Sequence, residues 1–270
     1  MGQREIRPLG AIEIADVVFG LHSNYPKPIL WIQDAYPMFL SRRSPTVHLF
    51  IRYQKHWPKG LPMRVSDEPK VHWRGSDFSI QTAYYHAEGN FSKGKVEASM
   101  VPGFSGSGLL RTLLALFLLR EEGFLLHAAG LTEGDKAYVF CGPTQSGKTT
   151  IASQLANGHT VLNDETIAIR RMRSGYMAYS TPFPGDLNRV FVNQGARMES
   201  LFFIRKGEQF SRHSLLPAEV VQRAFPQIIC LERNLEGVEA AFNALIALSR
   251  EILCYDLSFK PTMELWSHLT

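Results

Sequence analysis

The chain has 270 residues and a formal net charge of +4, with 45% hydrophobic and 20% charged residues. This composition is that of an ordinary globular protein and excludes a disordered chain or a fibrous repeat. Its basic clusters, Arg42-Arg43 and Arg170-Arg171-Met172-Arg173, are short, whereas nucleic-acid binding needs a longer basic surface. We therefore expect no nucleic-acid partner, and the length suits one large or two modest domains.

The cysteines and the apolar segments bear on the compartment. Cys141, Cys230 and Cys254 are widely spaced, which fits neither a disulfide framework nor a zinc site and predicts reduced, buried thiols in a cytoplasmic protein. The most apolar stretch, residues 113–119, is far shorter than the ~18 residues that span a bilayer. The N-terminal residues lack the apolar core of a signal peptide. We therefore expect a soluble protein with no membrane contact.

The first hundred residues are predicted to be rich in strands. Residues 47–53 have the β-branched and aromatic content of a strand, and prolines at positions 26, 28, 37, 45, 58, 62 and 69 argue against long helices. Trp31, Trp57 and Trp73 are expected in the core, with ligand stacking as the alternative. The sequence Met100-Val101-Pro102-Gly103 predicts a boundary. It separates a small β-rich region, residues 1–102, from residues 103–270.

The second region is predicted to alternate helices and strands. Leucines and Phe117 at helical spacing over residues 109–118 predict a helix that ends near Gly123. Residues 166–171 and 176–180 are expected to form a hairpin joined across Ser174-Gly175. Apolar residues spaced over residues 231–248 predict a late helix, and residues 252–255 a closing strand.

Another predicted hairpin pairs residues 124–131 with residues 136–141. If residues 132–135 form its turn, Leu131 lies opposite Lys136 and His127 lies opposite Phe140. His127 would then be near the end of the hairpin that leads into Gly142. There it is suited to contact a γ-phosphate or nearby acidic residues, and a hydrogen-bonded core histidine is the alternative.

A glycine-rich segment follows this hairpin and carries the clearest chemical signal. It fits the pattern G-x-x-x-x-G-K-[ST] and reads Gly142-Pro143-Thr144-Gln145-Ser146-Gly147-Lys148-Thr149, with Thr150 next. In such a loop, backbone N–H groups and the following helix N-terminus surround phosphate oxygens. Lys148 is expected to reach the β- and γ-phosphates of ATP, and the Thr149 hydroxyl to hold Mg²⁺. The segment therefore predicts a nucleoside-phosphate site.

An acidic pair follows the loop at a sequence spacing that should bring the chain back to the loop. Asp164 lies 164 − 148 = 16 residues after Lys148. A helix over residues 148–157 extends about 15 Å from the loop, and residues 159–163 return about 16 Å as a strand. Asp164 and Glu165 are therefore expected beside the phosphates, where a carboxylate holds metal or accepts a proton. A solvent-exposed turn is the alternative.

These residues together resemble a known superfamily. Leu126-His127-Ala128-Ala129-Gly130, the glycine-rich loop, Gly158-His159 and Asn163-Asp164-Glu165 are similar to the HPr serine kinase and phosphoenolpyruvate-carboxykinase-like superfamily, in its HPr-kinase-related branch. The resemblance covers residues 110–205. It implies an α/β P-loop kinase core that uses ATP and Mg²⁺, with the histidine before the loop at His127. It also implies that Asp164 helps to bind Mg²⁺ and that Glu165 occupies the general-base position.

The chain also departs from that family. HPr kinases carry two aspartates where this chain has Asp164-Glu165, and the later metal-binding glutamate loop has no clear counterpart. Instead, residues 181–186 form a proline-rich segment, read either as a substrate loop, with Asp186, Arg189 or Arg197 near the acceptor, or as a rigid turn.

The sequence therefore predicts an ATP-dependent kinase that phosphorylates a hydroxyl of a serine-like small molecule or of a peptide or protein serine. An ATP-binding sensor or adaptor without transfer, and an ATPase, are the alternatives. Glu165, Asp164, His127 and Lys148 are the predicted catalytic residues, and Thr149 and Asp164 the predicted metal ligands. Acceptor selection by residues 1–102 and assembly into a homo-oligomer stay open.

Overall fold

The computed structural model describes residues 6–54, 68–101, 104, 106–183, 185–187, 192–229, 235–260 and 265–269. These residues form a mixed α/β protein with two mixed β-sheets and few helices. They fall into two compact units, one ending at Phe117 and the other beginning at Leu118. Within this described part of the chain, no helix is both long and apolar enough to cross a membrane.

The first unit is built on a seven-stranded sheet. Its elements are β1 (Arg7–Ile14), β2 (Val17–Ser23), α1 (Lys27–Ala35), β3 (Val47–Tyr53), β4 (Lys70–Arg74), β5 (Asp77–Gln81), β6 (Tyr85–Asn90) and β7 (Lys95–Met100). The strand order is β1-β2-β3-β7-β6-β5-β4. The pairs β2–β3 and β3–β7 are parallel, and the other neighbours are antiparallel.

The local sequence explains the elements of this unit. The predicted strand at residues 47–53 is confirmed as β3, which alternates buried residues such as Val47 with exposed ones such as His48. Prolines limit the helix α1 to nine residues, with Pro28 in the first turn, where a proline is tolerated. The prediction of a core Trp31 is wrong, because this residue is 46% exposed. Trp73 packs against Phe78, and Trp57 lies outside the described residues.

The second sheet has eight strands. The elements after β7 are α2 (Ser107–Arg120), β8 (Phe124–Glu133), β9 (Lys136–Cys141), α3 (Lys148–Leu155), β10 (Thr160–Asn163), β11 (Thr166–Met172), β12 (Gly175–Tyr179), β13 (Gly195–Lys206), β14 (Ser211–Ser214), α4 (Pro217–Ala224), α5 (Leu235–Glu251) and β15 (Leu253–Phe259). The strand order is β10-β8-β11-β12-β13-β15-β14, and β9 pairs with both β8 and β13. The strand β13 runs parallel to β9 and to β15.

The predicted helix near residues 109–118 is confirmed as α2, within which the chain passes from one unit to the other. It is apolar on nearly every side and correspondingly buried. The helix stops because Glu122 takes a positive φ of 54° and the Gly123 amide donates to the Leu118 carbonyl at 2.8 Å. A side chain at position 123 would lie 2.4 Å from the Ile169 carbonyl oxygen, so glycine is required there.

The hairpin of β8 and β9 forms with a different register from the one predicted. Glu133 pairs with Lys136, so the turn contains only Gly134 and Asp135, and Gly134 provides the positive φ of 61° that a tight turn needs. The predicted four-residue turn is therefore wrong. Ala129, rather than His127, lies opposite Phe140. Because the shift is two residues, the side chains keep their faces.

The other sequence-predicted elements of this unit also form, with different ends. Met172 pairs with Gly175, so the turn of the second hairpin is Arg173-Ser174, one residue earlier than predicted. The helix α3 ends at Leu155, two residues before the predicted end. The closing strand β15 extends to Phe259. The core of this unit includes side chains of β8, β9, β13, α4 and α5.

Candidate nucleotide and active site

The glycine-rich loop connects β9 to α3, as the sequence predicts, and two of its glycines are required by close contacts. Gly147 has a φ of 110°, and a side chain there would lie 2.7 Å from Cζ of Phe259. A side chain at Gly142 would lie 2.7 Å from Oγ of Ser146. Gln145 also has a positive φ, of 68°. Such backbone strain is typical of ligand-binding loops.

Lys148 folds back over this loop. Its side chain is buried, and Nζ donates to the carbonyls of Gly142 at 2.9 Å and Pro143 at 3.1 Å. Burial lowers the pKa of Lys148, and the carboxylates of Glu165 and Asp164 act in the opposite direction. The ammonium group is therefore held at the mouth of the loop by two neutral acceptors, which phosphate oxygens can replace.

Asp164 lies at the N-terminal end of α3, where the sequence predicts it. Oδ2 accepts hydrogen bonds from the Leu187 amide at 3.0 Å and, at the longer distance of 3.5 Å, from the Thr149 hydroxyl. Oδ1 is buried and has no hydrogen-bond partner among the described residues. A buried carboxylate oxygen without a donor is costly, and a bound cation would satisfy it. The solvent-exposed-turn alternative is therefore wrong for Asp164, which is fully buried.

Glu165 meets His127. The imidazole Nε2 lies 3.0 Å from Oε2 of the glutamate. Glu165 lies in the turn between β10 and β11, and this turn reaches His127 because Thr166, the first residue of β11, pairs with His127 on β8. The His127 side chain is 23% exposed and that of Glu165 42%, so both groups face accessible space. His127 therefore contacts one of the nearby acidic residues, which is one of the contacts that the sequence analysis proposed for it.

Asn163 shapes the turn that presents both acids. Its side-chain oxygen accepts hydrogen bonds from the backbone amides of Glu165 at 2.7 Å and Thr166 at 2.9 Å. Its amide nitrogen donates to the carbonyls of Thr181 and Phe183. This fully buried residue thus ties the acidic turn to the proline-containing segment. Its position before the two acids was noted in the sequence, but its positioning role was not predicted.

One pocket is lined by residues of the glycine-rich loop and by the His127–Glu165 pair. Its volume is about 250 Å³, and it is lined by His127, Thr144, Gln145, Gly147, Lys148, Thr149, Thr150, Glu165, Asp186 and Lys206. A larger concavity of about 600 Å³ lies on β4–β7 of the first unit. That concavity has side chains of both charge signs but no phosphate-binding loop, so we place the chemistry in the smaller pocket.

Two oxygen atoms of the site are of the kind that could hold a magnesium ion. Among the described residues, no group of three or more His, Cys, Asp or Glu side chains forms a metal cage. Magnesium in nucleotide sites normally takes only one or two protein oxygens, and phosphates and waters complete its shell. The unpartnered Oδ1 of Asp164 and the neighbouring Thr149 hydroxyl supply such oxygens.

The remaining residues that the sequence analysis placed near the acceptor differ in their distance from the pocket. Asp186 lines the pocket, and its place near an acceptor stays a prediction. The prediction for Arg197 is wrong, because it pairs with Lys136, at the end of β9 away from the loop, and its amide donates to the Asp135 carbonyl. Arg189 lies outside the described residues. Lys206 also lines the pocket and was missed.

Comparison of the chain with protein-family models finds no match, and comparison with curated proteins also finds none. The glycine-rich loop and the glutamate–histidine pair line one pocket, and the buried carboxylate of Asp164 lies next to Thr149, which lines the same pocket. This set can bind a polyphosphate, orient it and accept a proton beside it.

Proposed function

We propose that the protein is an ATP-dependent phosphotransferase. It transfers the γ-phosphoryl group to a hydroxyl of a serine-like small molecule or of a peptide or protein serine. The observation that supports this most directly is that Lys148 and the Glu165–His127 pair line one pocket. Loop binding alone would not need a carboxylate that is accessible and held by an imidazole.

In the proposed reaction, the acceptor hydroxyl oxygen forms a bond to the γ-phosphorus, and the bond from that phosphorus to the β–γ bridging oxygen breaks. The bond's electron pair leaves with ADP, and Glu165 takes the hydroxyl proton. His127 orients the Glu165 carboxylate through the 3.0 Å contact. Lys148 and the loop amides bind the phosphates.

Asp164 and Thr149 would hold Mg²⁺, which would neutralise phosphate charge when it is bound. Asp186 borders the same pocket and is positioned to contact an acceptor. The core is proposed to be of the P-loop kinase type found in HPr kinase and phosphoenolpyruvate carboxykinase, on the resemblance in residues 110–205. A cytoplasmic location agrees with the buried free thiols of Cys141 and Cys254.

The test is incubation of the full chain with Mg-ATP, isotopically labelled in the γ-phosphoryl group, together with free serine or serine-containing peptides. Mass spectrometry is expected to find the label on the acceptor. Glu165→Gln should lower that transfer by about 10²- to 10⁴-fold, the usual contribution of a general base, while ATP binding is retained. Glu199→Gln is the matched control, because this residue pairs with Lys136 at the other end of β9.

A specific contact favours a nucleotide-dependent sensor as the second candidate. The Leu187 amide donates to Oδ2 of Asp164. A metal ion at this carboxylate would weaken or break that hydrogen bond and so alter how residues 185–187 are anchored. A partner that reads this segment would then bind according to nucleotide state. Tight ATP binding without label on any acceptor, and with nucleotide-dependent partner affinity, would replace the kinase by the sensor. Release of labelled phosphate alone would instead indicate an ATPase.

A further inference from the structure

Lys206 is the last residue of β13 and lies at the loop end of the sheet. The strands β13 and β9 are parallel, with Phe203 opposite Cys141, so both strands end at the same edge. A side chain at Gly142 would lie 3.1 Å from the Ile204 carbonyl oxygen, which fixes β13 against the start of the loop. The two residues after Ile204 therefore extend beside the loop.

The stem of Lys206 runs past Gly147. Its Cε lies 3.7 Å from the point where a side chain at Gly147 would begin. Lys206 also pairs with Phe259 on β15, and the ring of Phe259 occupies the space that a side chain at Gly147 would need. The aliphatic part of Lys206 is thus directed along the loop, and the residue borders the nucleotide pocket.

Among the described residues, the ammonium group of Lys206 has no carboxylate partner. Some exposed lysines of the described chain form ion pairs, for example Lys136 with Glu199 at 3.1 Å and Lys95 with Glu97 at 2.7 Å, and others do not. No hydrogen bond or ion pair involves the Lys206 side chain within the described residues. Lys206 and Lys148 are therefore two cations at one small pocket, an arrangement that an anion between them would stabilise.

The two sides of the pocket differ in chemistry. The transfer groups are on the β8 side, because His127 belongs to β8 and Glu165 follows β10, which pairs with β8. Lys206 comes from β13, which pairs with the opposite edge of β9. Lys148 begins α3 between them. A phosphate chain whose terminal group meets Glu165 and His127 would present its other phosphates towards Lys206.

We propose that Lys206 is a second donor-binding cation, which contacts the phosphates that leave with the nucleoside diphosphate rather than the transferred group. This inference rests on the proposed function and specifies how the donor is held. Electron density passes to the leaving diphosphate as the phosphoryl group departs. A lysine at that position would bind the donor and stabilise the product side of the reaction.

The test measures binding of Mg-ADP and Mg-ATP to the full-length chain by calorimetry. Lys206→Met is expected to weaken both nucleotides alike, by about 10-fold, the effect of one charge-assisted hydrogen bond. Lys206→Arg should restore most of the affinity, which a purely structural role would not require. Lys136→Met is the matched control, since it removes a lysine charge at the far end of β9 and should leave binding unchanged.

The outcomes separate the two proposals. Unchanged ADP affinity in Lys206→Met, or a loss confined to ATP, overturns the assignment of Lys206 to the leaving diphosphate. Wild-type protein that binds neither nucleotide contradicts the proposed function instead. Because Lys206 is exposed, Lys206→Gln serves as a second variant, and a thermal melt of each protein confirms that it is folded.

Discussion

Nε2 of His127 and Oε2 of Glu165 approach to 3.0 Å although 38 residues separate them along the chain. The contact exists because β11 pairs with β8 and places Thr166 opposite His127. The contact restrains the orientation of the carboxylate, which in the proposed reaction would reduce the reorganisation needed before proton transfer.

Replacement of His127 should therefore affect turnover more than donor binding. His127→Ala is expected to lower kcat by about 10- to 100-fold, in the range of lost outer-sphere support, with a smaller change in KM for ATP. His127→Gln should recover part of the loss because its amide can still donate to Glu165. His86→Ala is a suitable control, since His86 forms a similar 3.2 Å contact with Glu88 in the other unit. Equal kcat in all four proteins would contradict the role of His127.

Asp164→Asn should remove the magnesium dependence of ATP binding. The variant side chain still accepts a hydrogen bond from the Leu187 amide, so the fold is expected to persist, but the charge beside Thr149 is lost. Titration of ATP at increasing Mg²⁺ measures this dependence. Asp135→Asn, in the exposed hairpin turn, should behave like the wild type. An Asp164→Asn protein that keeps its response to Mg²⁺ would argue against Asp164 as a ligand.

Gly147→Ala should abolish nucleotide binding and reduce stability by about 1–3 kcal/mol, the cost of a left-handed residue with a side chain. The clash with Cζ of Phe259, at 2.7 Å, adds to this cost. Gly158→Ala provides the comparison, because nothing lies within 4 Å of its added side chain. The free energy of unfolding of that variant should be within about 0.5 kcal/mol of the wild-type value. Denaturant titration and ATP binding together check both expectations.

Acidification should destabilise the first unit through His22. Burial, followed by the neighbouring His48 ring, lowers the pKa of His22 below its ordinary 6.5. The unfolded chain then binds more protons than the folded one at weakly acidic pH, so stability rises with pH in this window and falls as pH drops below about 6.5. His22→Gln should weaken the dependence of stability on pH. His72 is exposed on β4, so His72→Gln should leave that dependence unchanged. Denaturation curves at several pH values measure the slope.

The sequence predicts the loop and the return of the acidic pair because both depend on short, local stretches. The motif specifies its own backbone, and the lengths of α3 and β10 bring Asp164 back towards Thr149. The register of the β8–β9 hairpin was predicted wrongly, since residues 132–135 can be read as either a two- or a four-residue turn. Glycine at position 134 decides for the shorter one.

The positions of Lys206 and Arg197 relative to the loop could not be predicted from local sequence patterns. Both lie on β13, and their distances from the loop depend on how this strand pairs with β9, more than fifty residues earlier in the chain. Parallel pairing places Lys206 at the loop end and Arg197 at the opposite end. The only signal in the sequence was the change from the apolar run at residues 201–204 to Arg205-Lys206, which marks the end of a buried strand.

The strand β8 is hydrogen-bonded on both edges, to β9 on one side and to β10 and β11 on the other. The phosphate loop, the histidine and the two acids are consequently attached to a single ladder. Local opening of this ladder would disturb all of them at once, so in the proposed reaction donor binding and the position of the proton acceptor would be lost together.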